Sequence, residues 1–260
     1  MAHRPTTDFD ELAVAFADYG TTLSGYVRYQ LTRMNLKPYI SGKTLNVLDV
    51  GGGGGGDTAW LAEQGQHVTY VEPSTEQRRF AERRFSFLLS DKARALVSVA
   101  GESLADLPPN TKKFDLVLAH TVAMYQPNPT EFLRQVMQYV KPGGLISIIE
   151  KGYYGTELRD IRGNNFPNLT RLHRTGRSIN HMKQIVYAFK PEMLEKLLTD
   201  EHFSIKEWSG IRLLTDDIVI PVDTIDPKRL KAILAIEYEH GHNPSIRGQG
   251  QLLHFIARKA

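Results

Sequence analysis

The chain has 260 residues, of which 41% are hydrophobic and 23% charged, and a formal net charge of +3, values ordinary for a soluble protein with one large domain. The absence of cysteine excludes a disulfide framework and a thiolate metal site. Residues 1–8 are too polar for a signal peptide and no apolar run approaches the roughly 18 residues of a spanning helix, so we expect a cytoplasmic protein without a membrane partner.

Up to residue 150, the hydrophobic periodicity alternates between short strands and helices. The predicted elements are, in chain order, a helical region within 8–40 capped by Asp8, strand 45–50, helix 57–64, strand 67–71, helix 76–89, strand 95–99, strand 114–119, helix 130–140 and strand 145–149. The strand at 114–119 is apolar on both faces, as in a buried parallel sheet. This alternation predicts an α/β protein with a doubly wound, mostly parallel sheet.

Beyond residue 150 the pattern loosens. Residues 151–188 show no clean periodicity, and the stretch 151–190 holds eight lysines and arginines against two acids. We interpret this stretch as a basic insertion or lid that suits a polyanionic ligand, although a solvated loop explains the charge equally well.

The carboxyl end returns to regular patterning, with helix 192–199, strand 205–214, helix 227–240 and strand 252–258 predicted in that order. The strands here do not continue the strand–helix alternation, which predicts an antiparallel C-terminal edge of the sheet. We therefore expect one domain over 1–260, made of a helical cap (1–44), a cofactor-binding core (45–150), the basic insertion or lid (151–190) and the C-terminal part of the sheet (191–260).

Six consecutive glycines, Gly51 to Gly56, lie between the first predicted strand and the helix that follows it. Glycine lacks a Cβ, so the backbone can adopt positive φ and approach a ligand closely. In an open α/β sheet, a nucleotide-like ligand binds at the carboxyl ends of the strands, where this loop falls. We expect Gly51 to Gly53 to contact the ligand, and Gly55→Ala to be tolerated better than Gly51→Ala.

Two nucleotide cofactors fit the loop by spacing. Gly51-x-Gly53-x-x-Gly56 satisfies the dinucleotide pattern, whereas Asp49-x-Gly51-x-Gly53 satisfies the S-adenosylmethionine loop, in which the acid holds the ammonium group. Glu72 ends the second strand, 19 residues after Gly53, and can accept hydrogen bonds from ribose hydroxyls of either cofactor. Spacing alone leaves both cofactors open.

Four segments, in order, resemble the motif series of class I S-adenosylmethionine-dependent methyltransferases. They are Leu48-Asp49-Val50-Gly51-Gly52-Gly53, Glu72-Pro73, the run from Phe114 to His120, and the run from Leu133 through Lys141-Pro142-Gly143-Gly144 to Leu145. The resemblance covers about residues 45–150. It implies a Rossmann-like methyltransferase fold and S-adenosyl-L-methionine as the cofactor.

Both ends of the chain are similar to bacterial tRNA 5-carboxymethoxyuridine methyltransferases, through Phe9 to Arg28 and Ala235 to Lys259. This resemblance implies that the enzyme esterifies the carboxymethoxy group of a modified wobble uridine, with tRNA as its partner. It also implies, with the motif series above, the cofactor-binding residues Arg28, Asp49, Gly51, Gly52, Gly53, Glu72, Pro73, Gly101, Glu102 and His120. The chain departs from the family at Glu72-Pro73, where Asp-Leu is usual, and at Tyr125-Gln126, where Glu-Trp is familiar.

A carboxylate acceptor is ionised at neutral pH and needs no general base, only a group that orients it. We expect Arg174, Arg177 or Tyr125 to orient the acceptor, and we expect no metal site. Two alternatives stay open: a methyltransferase that acts on a small molecule at oxygen or nitrogen, and a cofactor- or RNA-binding module without catalysis.

Overall fold

The computed structural model describes residues 8–108, 113–216, 218 and 220–260, without the side chain of Ala17. The first seven residues of the predicted cap lie outside this part. The helices are α1 (Ala13–Tyr19), α2 (Leu23–Ile40), α3 (Gly56–Glu63), α4 (Thr75–Leu88), α5 (Asp91–Arg94), α6 (Pro129–Met137), α7 (Tyr153–Arg162), α8 (Phe166–Thr175), α9 (Pro191–Asp200) and α10 (Pro227–His242). The strands are β1 (Asn46–Val50), β2 (His67–Val71), β3 (Val97–Gly101), β4 (Phe114–His120), β5 (Val140–Lys151), β6 (Arg177–Ile179), β7 (Ile185–Tyr187), β8 (Phe203–Ile211) and β9 (Leu252–Lys259).

Within the described residues, seven strands form one sheet in the order β3-β2-β1-β4-β5-β9-β8. Strands β1 to β5 pair in parallel, and β9 runs antiparallel to both β5 and β8. The predicted doubly wound sheet with an antiparallel C-terminal edge is therefore confirmed. Because β1 lies between β2 and β4, the chain order reverses there, and a crevice opens at the carboxyl ends of β1 and β4.

The side chains of β4 alternate between two apolar layers. Val117 packs on the face covered by α6 and α9, whereas Leu116 and Leu118 pack against α2 and α3 through Leu36 and Leu61. Both faces are buried because neighbouring residues of a strand point to opposite sides. We call the side covered by α2 and α3 the α2 face, since it carries the candidate site.

Three strands have other bounds than predicted: β3 (Val97–Gly101) instead of 95–99, β5 (Val140–Lys151) instead of 145–149, and β8 (Phe203–Ile211) instead of 205–214.

Two predicted segments also differ from the structure in the elements that they contain. The N-terminal helical region is two helices, because the chain breaks at Gly20 and Thr22 then caps α2 through a hydrogen bond from the Gly25 amide. Residues 151–188 contain α7, α8 and the hairpin β6–β7, in a stretch where periodicity predicted no regular elements. β6 and β7 have three residues each, too few to display a strand period, whereas α7 and α8 have ten residues each, as many as the correctly predicted α9, and were overlooked.

No helix in the described part of the chain is both long enough and apolar enough to cross a membrane.

Candidate active site

A cavity of about 740 Å³ opens on the α2 face, at the carboxyl ends of β1, β2, β4 and β5. Its walls also include parts of helices α1 to α4, the turn after β4, the turn between β6 and β7, and residues 212–216. The volume lies in the range typical of small-molecule and cofactor sites. The glycine loop forms one end, which we call the loop half, and the basic segment contributes to the other, which we call the acceptor half.

The glycine loop forms the floor of the loop half, and three of its glycines adopt a left-handed backbone conformation. Gly51, Gly53 and Gly55 have φ values of +64°, +54° and +72°, which side chains other than glycine rarely adopt. A Cβ on Gly51 would lie 2.9 Å from the Val122 side chain, and one on Gly55 would lie 2.7 Å from the Phe85 ring. The expectation that Gly55 tolerates alanine better than Gly51 is therefore wrong, because Gly55 packs directly against α4.

Gly54 is the loop glycine whose backbone conformation and surroundings both accept a side chain. Its φ is not positive, and a Cβ would meet Gln77 Oε1 at 3.6 Å, an ordinary contact. We expect Gly54→Ala to change the free energy of unfolding by less than about 1 kcal/mol. Gly55→Ala should lower it by about 2–4 kcal/mol, from backbone strain and overlap with Phe85. Urea unfolding of both variants measures this difference, and equal stabilities would contradict the loop geometry.

Glu72 ties the end of β2 to the glycine loop. Its Oε2 accepts a hydrogen bond from the Gly53 amide at 2.9 Å, and its Oε1 accepts one from the Ser74 amide at 2.9 Å. Burial raises the pKa of this carboxyl, whereas the two amides favour its charged form. Each oxygen keeps a lone pair for a further donor in the cavity, as the predicted contact with ribose hydroxyls requires.

A second carboxylate, Asp57, stands in the first turn of α3 and was missed by sequence reasoning. Its Oδ2 lies 2.9 Å from both Arg28 Nη1 and His120 Nδ1, and all three side chains are buried. Burial alone would raise the pKa of Asp57, but the Arg28 guanidinium and the His120 hydrogen bond outweigh it and hold that pKa below its usual range. The sequence does contain a signal for Asp57, since it is an acid at a helix N-terminus directly after a glycine loop.

The Arg28–Asp57 pair leaves polar capacity unused toward the cavity that both residues line. Among the described residues, Asp57 Oδ1 and Arg28 Nη1 are buried and have no hydrogen-bond partner, since the ion pair lacks the angle of a hydrogen bond. Buried polar atoms without partners are rare in folded proteins and call for a ligand. An acceptor and a donor side by side fit a ligand group that carries both an ammonium and a carboxylate.

Asp49, at the end of β1, lies beneath the loop. Its Oδ2 accepts a hydrogen bond from Thr58 Oγ1 at 2.6 Å. Burial and the nearby charge of Asp57 raise its pKa to about 7, so close to neutral pH it is only partly ionised. Asp57, whose pKa is lowered, is therefore more fully ionised at neutral pH than Asp49.

The acceptor half is lined by three cationic side chains on different elements: Lys151 at the end of β5, Arg159 on α7 and Arg212 after β8. Arg159 pairs with Asp160 at 2.8 Å, and Arg212 forms an ion pair with Asp216 and donates to Tyr19 Oη at 2.9 Å.

Lys151 has a different environment from the two arginines. Its Nζ donates to the side-chain amide oxygen of Gln251 at 2.6 Å, a neutral partner. Burial, followed by the charges of Arg159 and Arg212, holds the pKa of Lys151 well below its usual value. An anion that enters the cavity would therefore stabilise the charged form of Lys151 more than that of a cation already paired with an acid.

Comparison with known proteins adds a second line of evidence. A family described as a methyltransferase domain matches residues 48–146. The chain is 23% identical to the tRNA 5-carboxymethoxyuridine methyltransferase of Escherichia coli strain K12, over 97% of this chain and 96% of that protein. It is 25% identical to the ubiquinone biosynthesis O-methyltransferase of Rickettsia typhi, over 71% of this chain and 70% of that protein.

Solved structures agree on the fold. An S-adenosylmethionine-dependent methyltransferase from Methanosarcina mazei superposes with a TM-score of 0.61, at 19% identity, over 86% of this chain and 96% of that one. The CcbJ methyltransferase from Streptomyces caelestis gives a TM-score of 0.60, at 14% identity, over 99% of this chain and 100% of that one. The chain is an S-adenosylmethionine-dependent methyltransferase. The comparisons support this enzyme class rather than a binding module without catalysis.

The methyltransferase brings most of its predicted cofactor residues to the cavity. The lining includes Arg28, Asp49, Gly51, Gly52, Gly53, Glu72, Pro73 and His120. Gly101 and Glu102 are not brought there, and the exposed Glu102 pairs instead with Arg78 at 2.9 Å. Both ring nitrogens of His120 are engaged, with Asp57 and with Ser147 Oγ at 2.8 Å, so the ring offers no free nitrogen as a general base.

Of the three residues predicted to orient the acceptor, only Tyr125 lines the cavity. Its hydroxyl is 3.4 Å from Asn180 Nδ2. Arg174 is exposed on α8, and Arg177 donates to the carbonyls of Gln126 and Pro127, so neither guanidinium lines the cavity. The cations that line the acceptor half are Lys151 and Arg159 of the same basic segment and Arg212 of the loop after β8, which is distant along the chain.

Among the described residues, no group of three or more histidine or acidic side chains is arranged to hold a metal ion.

Proposed function

We propose that this methyltransferase methylates a carboxylate, and that its acceptor is the carboxymethoxy group of a modified wobble uridine in tRNA. The observation that carries the proposal is the set of three cations, Lys151, Arg159 and Arg212, in the cavity that also contains the loop half. The similarity to a tRNA 5-carboxymethoxyuridine methyltransferase over 97% of this chain supports the choice of acceptor.

In this proposal the loop half holds S-adenosyl-L-methionine. Arg28 donates to the cofactor's carboxylate and Asp57 Oδ1 accepts from its ammonium, which satisfies the two orphaned groups. Glu72 accepts from the ribose hydroxyls, and the backbone of Gly51 to Gly53 allows close approach. When bound, the cofactor supplies an electrophilic methyl group on a sulfonium.

The acceptor half orients the nucleophile. A carboxylate is already ionised near neutral pH, so the enzyme need not remove a proton from it. Lys151 and Arg212 would hold the carboxylate in line with the methyl group, which lowers the entropic cost of the reaction. Burial of these cations strengthens their attraction for the anion, because the cavity excludes much of the water that would screen it.

The exposed cations of the basic segment suit the phosphates of an RNA. Arg162, Arg174 and Lys183 are exposed on α7, on α8 and before β7. Contacts of this kind release counterions, so methylation of tRNA should weaken steeply as the salt concentration rises.

Mass spectrometry of nucleosides tests the acceptor. The enzyme is incubated with cofactor and with tRNA that carries the free carboxymethoxy group, and the digested nucleosides are analysed. We expect a gain of one methyl group on the modified wobble uridine and none on tRNA with an unmodified uridine at that position. No gain by an enzyme that binds the cofactor would defeat the proposal.

A second candidate is an O-methyltransferase of small molecules. It is favoured by the lowered pKa of Lys151, since a neutral amine could remove a proton from a hydroxyl acceptor. The similarity to a ubiquinone biosynthesis O-methyltransferase over 71% of this chain agrees with it. Methylation of a neutral small molecule should depend little on salt, whereas that of tRNA should depend on it strongly.

A further inference from the structure

A row of buried polar side chains crosses the α2 face of the sheet. His120, Ser147, His254 and Ser209 stand on β4, β5, β9 and β8, four strands that are neighbours in the sheet. Each has a relative exposure of 6% or less. The row lies between two apolar clusters of this face, one around Leu118 and one around Ile149.

Hydrogen bonds join the row from end to end. Ser147 Oγ lies 2.8 Å from His120 Nε2 and 2.8 Å from His254 Nε2. His254 Nδ1 lies 3.1 Å from Asn35 Nδ2, which also donates to Ser209 Oγ at 2.9 Å. At the cavity end, His120 Nδ1 lies 2.9 Å from Asp57, which pairs with Arg28.

One helix anchors both ends of this chain of hydrogen bonds. Arg28 and Asn35 are both on α2 and are seven residues apart, two turns along the same side of the helix. The chain therefore leaves α2 at Arg28, crosses three strands and returns to α2 at Asn35.

An ionised Asp57 and a neutral His120 set the direction of every bond, in an arrangement that leaves Asn35 Oδ1 buried without a hydrogen-bond partner among the described residues. An ionised Asp57 only accepts, so His120 carries its proton on Nδ1 and accepts from the Ser147 hydroxyl at Nε2. Ser147 then accepts from His254 Nε2–H, and His254 Nδ1 accepts from the Asn35 amide. The two imidazoles are neutral and are opposite tautomers.

We propose that Ser147 and His254 are positioning residues of the cofactor site. They hold His120 as its neutral Nδ1–H tautomer, and thereby keep Asp57 and Arg28 oriented to bind the amino-acid end of the cofactor. This inference rests on the cofactor contacts proposed above for Asp57 and Arg28. It does not depend on the identity of the methyl acceptor.

Protonation of His120 would disturb the whole chain. A proton on Nε2 forces Ser147 to donate to His254 Nε2, which moves the His254 proton to Nδ1, opposite the Asn35 amide hydrogens. The amide would then have to turn over. Four residues must rearrange together, so the hydrogen bonds oppose the charged form.

Burial of the two rings also opposes their charged forms, whereas the Asp57 carboxylate favours them. Arg28 from α2, Asp57 from α3 and His254 from β9 face His120; the same Arg28 and Asp57, together with His120 and His242 from α10, surround His254. Burial is the largest influence on both rings, and it lowers the pKa of each below its usual value. Burial therefore favours the neutral form of both imidazoles.

Loss of the Ser147 hydroxyl should release this restraint. With no donor at Nε2, His120 can take up a proton without moving other residues, so its pKa rises. A charged His120 beside Asp57 would repel the cofactor's ammonium. Between pH 8 and pH 6, Ser147→Ala should therefore lose several-fold more cofactor affinity than the wild type, in which only the partial ionisation of Asp49 changes over this range.

The experiment combines ¹⁵N NMR of the imidazoles with calorimetric binding of S-adenosylhomocysteine. For the wild type we expect His120 as Nδ1–H and His254 as Nε2–H, both without titration from pH 6 to 8. An imidazolium in this range, or the same tautomer in both rings, would overturn the proposal even if Ser147→Ala fails to fold. Neither measurement uses a methyl acceptor, so failure of tRNA methylation leaves this test intact.

Thr156→Val is the matched control. Thr156 is fully buried and its hydroxyl donates to the Gly152 carbonyl at 2.6 Å, on α7 and outside the row. Its loss also removes one buried hydroxyl, but the pH profile of cofactor affinity should remain that of the wild type. A profile steeper than the wild type's in the control, or the wild-type profile in a folded Ser147→Ala, would show that the row does not position Asp57.

Discussion

Asp57→Asn is expected to weaken the binding of S-adenosylhomocysteine, which keeps the ammonium and carboxylate of the cofactor, by about 100-fold. Asparagine removes the charge that faces the ammonium and leaves the buried Arg28 guanidinium without its ion-pair partner at 2.9 Å. The loss should be seen in calorimetric titrations at neutral pH.

The control for this prediction is Asp160→Asn. Asp160 is as deeply buried as Asp57 and is also paired with an arginine, Arg159, but that pair belongs to the acceptor half. We expect its cofactor affinity to change by less than about threefold, an effect of under 1 kcal/mol. If the two variants lost affinity equally, the Asp57–Arg28 pair could not be the amino-acid site.

Lys151→Met is expected to lower kcat/KM for a carboxylate acceptor by about 100-fold while cofactor affinity stays the same. The substitution removes the buried cation whose partner in the free enzyme is the neutral amide of Gln251. Steady-state kinetics with tRNA, together with cofactor titration, separates the two effects. Lys183→Met, at an exposed lysine of the same basic segment, should cost far less.

The pH dependence of kcat/KM distinguishes the two candidate acceptors. Burial lowers the pKa of Lys151, so the residue loses its proton at a lower pH than an ordinary lysine. If the ammonium orients a carboxylate, kcat/KM falls as the pH rises through this pKa. If the neutral amine removes a proton from a hydroxyl, kcat/KM rises over the same range.

Much of the fold could be predicted from local patterns. The strand at His67–Val71 has the bounds that its apolar run predicted, and α9 and β9 differ from prediction by one residue at each end or less. Long runs with clear flanking signals determine such elements. Between residues 151 and 188, β6 and β7 are too short to show a period, whereas α7 and α8 are as long as α9 and were overlooked.

The candidate site was predictable only where its residues lie next to a motif. Glu72 and Gly51 to Gly53 follow strands whose carboxyl ends meet at the crevice, so their place was evident from the order of elements. Gly55 was misjudged because its neighbour Phe85, 30 residues further along, comes from a different helix. Asp57 had a local signal, its position in the first turn of α3, but its partners Arg28 and His120 lie on other elements.

By itself, the amino-acid sequence determined the α/β class, the run of glycines between β1 and α3, and the local basic excess, since these depend on residues close together in the chain. The tertiary structure decided which charges meet. His120, Ser147 and His254 are 27 and 107 residues apart, yet they form one row because β4, β5 and β9 are neighbours in the sheet. Lys151 and Arg212 enter one cavity for the same reason, as parallel and antiparallel strands bring distant segments to a common edge.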